Sequence, residues 1–139
     1  MIRVVAVGKL RATWAREACA DYARRIQRFG RMETLEVADA DPEREGRAIL
    51  DTVGRDHFVA CDPTGTAVSS EELAALLGRH GAIRFALGGP DGFSDAVRAR
   101  ADRQIAFGQI TLPHELARVV LYEQIYRALS IRAGHPYHR

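Results

Sequence analysis

Apolar residues along the chain fall into short strand-like runs that alternate with stretches of helical spacing. The first run, Ile2 to Val7 with only Arg3 interrupting it, shows no alternation and stops at Gly8. That is the pattern of a strand covered on both faces, as in a parallel sheet. From Thr13, an expected N-cap, Trp14, Ala18, Tyr22 and Ile26 recur every four residues with arginines between them, predicting an amphipathic helix that ends at Gly30. Positions 32–38 alternate as in a partly covered strand. Asp41-Pro42 then supplies a cap and a first-turn proline for a polar helix running to about 53, with Ala48, Ile49 and Val53 as a thin apolar stripe.

The second half repeats the alternation. A strand at 57–61 meets turn chemistry at Asp62-Pro63-Thr64-Gly65, and Ser69-x-x-Glu72 is a capping box ahead of Leu73, Leu76 and Leu77. Positions 83–87 form another apolar strand. Ser94 caps a helix reaching about 103, 104–107 is a short strand, and a helix starts at 114 or 115 and continues to about 133. Five strand–helix pairs in this order predict an α/β fold with a mainly parallel sheet of five to six strands and helices on both faces. Ligands bind such sheets outside the carboxyl ends of the strands. Three loops lie there: the one after Cys61, the one at Gly88-Gly89, and 107–113. With no internal repeat or linker, one domain over 1–139 is expected.

Composition narrows the class. The chain has 139 residues, 47% hydrophobic and 27% charged, which describes a globular protein. No run approaches the ~20 apolar residues of a membrane span, so a cytoplasmic protein is expected. Formal net charge is +2, too small for a molecule that grips naked nucleic acid by its overall field. Lys9 is the only lysine, and Arg16, Arg24, Arg25, Arg28 and Arg31 crowd one segment, readable either as a phosphate-binding face or as a solvated helix face. Cys19 and Cys61 lack C-x-x-C spacing and read as buried reduced thiols.

Four stretches near the C-terminus carry candidate chemistry. Gly88-Gly89-Pro90-Asp91-Gly92 admits close backbone approach to a ligand, and equally suits a tight strand-to-helix turn. It lacks the Gly-Lys-Ser/Thr of a phosphate loop, and Gly8 is not followed by dinucleotide-binding glycines, which counts against ATP and NAD. Phe107-Gly108-Gln109-Ile110-Thr111-Leu112-Pro113 would make a backbone-rich wall around a flat heterocycle, although an ordinary connection explains those residues as simply. The last helix has Leu116, Val119, Val120, Leu121, Ile125, Ala128, Leu129 and Ile131 around most of its circumference, pointing to a partner subunit. On it, Glu123 and Arg127 stand one turn apart. The tail His135-Pro136-Tyr137-His138-Arg139 has no further ligand for zinc, so no metal is expected.

Together, Val4 to Lys9, Leu87-Gly88-Gly89-Pro90-Asp91-Gly92, Thr111-Leu112-Pro113-His114, Glu123 to Ala128 and the tail resemble the SPOUT-class methyltransferases, specifically the ribosomal RNA large-subunit methyltransferase H group. The resemblance spans nearly the whole chain. It implies a C-terminal trefoil knot and S-adenosylmethionine bound by Cys61, Gly88, Phe107, Gly108, Gln109, Ile110, Thr111 and Leu112. The group commonly has leucine where this chain has Cys61. The resemblance also implies a homodimer in which one subunit's tail completes the other's site, and methylation of N3 of a pseudouridine in 23S rRNA within the assembled ribosome.

That nitrogen carries a proton at neutral pH, so a base or a stabilising cation is required. His138 is the first candidate for the base. Arg139 and Arg127 are candidates for charge stabilisation or phosphate contact, and Tyr137 for packing on the base. The rival from another class is a non-catalytic RNA- or ribosome-binding module on the same fold.

Overall fold

The computed structural model describes residues 1–139. Its elements, in order, are β1 (Ile2–Val7), α1 (Thr13–Ile26), β2 (Met32–Val37), α2 (Pro42–Val53), β3 (His57–Ala67), α3 (Ser70–Arg79), β4 (Ile83–Leu87), α4 (Asp95–Arg100), β5 (Arg103–Ala106) and α5 (His114–Ala133). The five strands pair in parallel in the order β2-β1-β4-β3-β5, as expected from the strand–helix alternation. The most apolar strands, β1 and β4, lie inside the sheet. Polar β2 is at one edge and short β5 at the other.

The period of two along each strand divides the core into two layers. Val4, Val59, Phe85 and Leu87 point into one layer with Leu73, Leu77, Leu121 and Ile125 from α3 and α5. Val5, Val7, Phe58 and Ala86 point into the other with Ile49, Val53 and Val97 from α2 and α4. Both cysteines are free and buried. The capping box at Ser69 and Glu72 is formed, and Asp41 caps α2 through the Arg44 amide at 2.9 Å.

Several local expectations are corrected. The buried face of α1 is Ala15, Cys19 and Ile26, with Tyr22 half-buried, whereas Trp14 is 54% exposed. A strict four-residue spacing drifts off a 3.6-residue helix, so Trp14 cannot share a face with Ile26 over three turns. Thr13 is already helical, and the N-cap, Ala12, offers no side chain. Instead Glu115 at the start of α5 accepts the Arg11 and Ala12 amides. Helix α4 stops at Arg100, because Ala101 turns extended and Asp102 then accepts the Phe58 amide at 2.8 Å.

The turn chemistry at 62–65 does not end β3. It forms an irregularity after which Thr66 and Ala67 pair again with β5. Gly65 makes that possible, since a Cβ there would lie 2.7 Å from the Gln104 backbone. Backbone in a paired strand cannot move aside cheaply, so Gly65→Ala is expected to cost about 1–3 kcal/mol, the usual penalty for overpacking. Urea denaturation of the variant checks this.

Candidate functional site

The carboxyl ends of the strands enclose a cavity of about 520 Å³, within the range that holds a cofactor-sized molecule. Its first wall is built where β4 ends. After Leu87 the chain folds back, Gly89 and Gly92 pair in a single antiparallel bridge, and the Gly92 amide donates to the Gly89 carbonyl at 3.1 Å. Gly92 sits at φ +79°, a conformation that side chains oppose. This turn delivers Phe93 into the wall, and the next residue, Ser94, caps α4 through the Val97 amide.

The second wall comes from β3. Cys61 is buried, and burial, followed by the neighbouring Asp62 carboxylate, pushes its thiol pKa well up. It is therefore a neutral apolar contact and not a nucleophile. Asp62 accepts the Thr64 amide and hydroxyl, each at 2.9 Å, and the Arg98 Nε at 2.9 Å. These bonds outweigh the effect of burial and hold its carboxyl below the usual range. Asp62 thus pins the β3 irregularity to α4 while facing the cavity.

The third wall is 107–113. This segment starts from β5 at the sheet edge and passes over the ends of β3 and β4 to reach α5, which is fastened beside the end of β1. There the guanidinium of Arg118, 4% exposed, donates to the Gly8 carbonyl at 2.9 Å and pairs with Glu36 of β2 at 2.7 Å. Phe107, Ile110, Thr111 and Leu112 line the cavity with Cys61 and Gly88. Gly108 and Gln109 belong to the same segment but not to the lining. Asp62, Phe93, Ala106 and His114 also line the cavity and were not among the expected cofactor-binding residues, although Asp62 and His114 stand in stretches the sequence marked. The capping pattern at Ser94 placed Phe93 beside a turn, but nothing local shows which way its ring points.

The tail is organised elsewhere. Glu123 accepts Arg127 through Nε and NH2 at 2.9 and 2.7 Å, and the Tyr137 hydroxyl at 3.0 Å. The Tyr137 ring packs edge-on against Tyr126 at 4.5 Å and beneath the Arg127 guanidinium at 4.8 Å. His138 lies between Glu71 of α3, 2.7 Å from Nε2, and Arg127, 3.1 Å from Nδ1. Guanidinium only donates and carboxylate only accepts, so the neutral ring that satisfies both carries its proton on Nε2. Arg139 forms no side-chain hydrogen bond or ion pair in this chain.

The structure therefore brings Tyr137, His138 and Arg127 together against the middle of α5 and the start of α3, and the cavity residues together at the strand ends and the first turn of α5. The cavity lining reaches Ala117, and Tyr137 and His138 fold back onto Glu123 and Arg127, so the two groups stand about 9–15 Å apart along the α5 axis. Of the five early arginines, the side chains of four have partners within the chain and that of Arg28 has none. Asp21 holds Arg24 and Arg25, Glu33 holds Arg31, and Arg16 turns back to the carbonyls of Leu10 and Arg11.

A family model described as "Predicted SPOUT methyltransferase" matches residues 1–138. The chain is 47% identical to the ribosomal RNA large subunit methyltransferase H of Solidesulfovibrio magneticus, covering 99% of this chain and 97% of the relative. It is 48% identical to the protein of that name from Rubrobacter xylanophilus (97% and 96% covered) and 39% to that from Deinococcus radiodurans (99% and 98%). Among solved structures it resembles a probable methylase family protein from Haemophilus influenzae, with TM-score 0.61 and 11% identity over 98% of this chain and 67% of that one. The A. aeolicus TrmH/SpoU tRNA modifying enzyme follows with TM-score 0.55 and 13% identity over 96% and 77%. At such low identities the structural likeness is one of fold.

Proposed function

The chain belongs to the SPOUT methyltransferase family, and on that premise we propose that it methylates N3 of a pseudouridine in the 23S rRNA of assembled ribosomes. S-adenosylmethionine is the methyl donor, and large-subunit ribosomal RNA is the substrate class. The observation that carries the reading is the cavity at the strand ends, walled by the loops after Cys61, at Gly88 and at 107–113. Its mixture of apolar side chains and exposed peptide groups suits a molecule with an adenine ring and a charged amino-acid end. When bound, S-adenosylmethionine supplies an electrophilic methyl group on a sulfonium sulfur.

The residues of this chain do the rest. Cys61, Phe107 and Leu112 give apolar contact to a flat ring, and the peptide groups of Gly88, Ile110 and Thr111 supply polar contacts to its edges, with Gly108 and Gln109 carrying the segment between Phe107 and Ile110. Positioning of this kind contributes roughly 7–11 kcal/mol to a two-reactant step. His138 is assigned as the base, with Glu71 holding its proton on Nε2 so that Nδ1 presents the lone pair. Arg127, which occupies Nδ1 in this chain, is placed to stabilise the ring once N3 loses its proton. Tyr137 packs on the uracil-like face, and Arg139, which has no partner of its own here, contacts phosphate.

No tail residue lines the cavity of its own chain, which supports a homodimer as the working unit, each cavity completed by the other chain's tail. Leu116 and Val120, half-buried on α5 and absent from both core layers, and the exposed Ile110 and Leu35 supply apolar surface for it. One domain over 1–139 and a cytoplasmic setting complete the reading. The test is methyl transfer to ribosomes lacking the modification, followed by mass spectrometry of the 23S rRNA. Methylpseudouridine is the expected product. Binding of S-adenosylmethionine without any transfer to ribosomes would favour a non-catalytic ribosome-binding module.

A further inference from the structure

At the amino ends of β3 and β4 a second concavity, of about 490 Å³, opens between Arg55, Arg79 and Arg100. His57 faces it and Cys61 faces the cofactor cavity, so the two openings lie at opposite ends of one strand segment, about 13 Å apart along the chain. The rings of His57 and His80 stack there at 3.6 Å and 7°. The chain's amino group is nearby, held by the Gly81 carbonyl at 2.7 Å. Ala82 is the only apolar side chain beyond glycine in the lining, so nothing there would hold a base or an acyl chain.

The charges around this concavity do not balance. Asp56 is taken by Arg3 at 3.1 Å and by Arg84 at 3.2 Å. Asp102 accepts the Phe58 amide and pairs with Arg100 at 3.4 Å. Arg55 and Arg79 are exposed and have no ion pair. The His57 Nε2 at this opening is buried with no hydrogen-bond partner, an orphan that folded proteins seldom keep without cause. Burial first, then His80, Arg103 and Arg79, hold its pKa below the usual imidazole value against the pull of Asp102. The unpaired guanidinium groups of Arg55 and Arg79 leave a positive field over the opening, which attracts an anion.

We propose that this concavity is a second rRNA contact, at which Arg55 and Arg79 take backbone phosphates of the large-subunit RNA. The inference rests on the reading of the chain as an rRNA methyltransferase. A wide polar opening lined by guanidinium groups suits phosphates that already stand on a folded RNA. It gives a protein of small net charge a second grip on the particle, on nucleotides other than the one methylated.

The test is methyl transfer to unmodified ribosomes across a potassium chloride series, with Arg55→Glu/Arg79→Glu, Arg55→Gln/Arg79→Gln and, on α2, Arg44→Glu/Arg47→Glu. The first variant is expected to raise the KM for ribosomes about tenfold, with kcat and the Kd for S-adenosylmethionine unchanged. The glutamine variant, whose exposed positions tolerate a neutral side chain, should do the same to a lesser degree. The salt dependence should become shallower by about 0.7–0.9 in log–log slope for each phosphate that is no longer neutralised. An unchanged KM and slope in both variants overturns the proposal, as does an equal rise in the α2 variant, which would make the effect one of overall charge. No transfer by the unaltered protein would instead refute the parent reading.

Discussion

Replacing Gly88 with valine is expected to weaken S-adenosylmethionine binding by roughly 10²-fold. A Cβ at this position would meet the Phe93 ring at 3.3 Å and the Gly92 carbonyl carbon at 3.4 Å, already tighter than ordinary contact before the γ-methyl groups are added. Phe93 is 6% exposed and seated between Gly92 and the capping Ser94, so it cannot withdraw into the layer behind it without disturbing α4. The relief available is toward the cavity that Phe93 and Gly88 both line. Calorimetry with S-adenosylmethionine measures the loss, and Gly88→Ala should show a smaller loss in the same direction. Unchanged affinity in the valine variant would mean that the cofactor does not use this wall.

What could be read from the sequence follows from how local each signal is. The continuous apolar runs of β1 and β4 are set by burial on both faces, so their positions were legible. Capping at Asp41, Ser69 and Ser94 was legible because a cap involves only residues three apart. The extension of β3 beyond Gly65 was not, because Asp62-Pro63-Thr64-Gly65 has the chemistry of a stop and only its meeting with β5 makes it an irregularity instead. Arg118 shows the same limit, since its burial depends on Gly8 and Glu36, far away in the chain. The glycine and proline loops marked where a cavity would lie, while Asp62 and Phe93 had to be found by packing. For the tail, a motif grouped Tyr137, His138 and Arg127, but only the fold shows Glu71 as the fourth member and the tail folded back onto the middle of α5, outside the lining of its own cavity.

The absence of the tail from its own cavity leads to the second large effect. His138→Ala is expected to lower kcat by about 10²–10⁴-fold, the usual contribution of a positioned base, with S-adenosylmethionine affinity intact because His138 is not among the residues that line the cavity. Gly88→Val and His138→Ala subunits should therefore be inactive separately for unrelated reasons. A mixed dimer joins the sound cavity of the His138→Ala chain to the sound tail of the Gly88→Val chain, and leaves both defects in its other site. Free exchange at equal amounts makes half the dimers mixed, each with one working site, so about a quarter of the unaltered activity should return. If each chain used its own tail, no combination of the two variants could contain a working site. Native mass spectrometry reports the fraction of mixed dimers, and methyl transfer to ribosomes reports their activity. A mixture in which dimers have exchanged and no activity returns would overturn the two-chain site, whatever becomes of the assignment of His138.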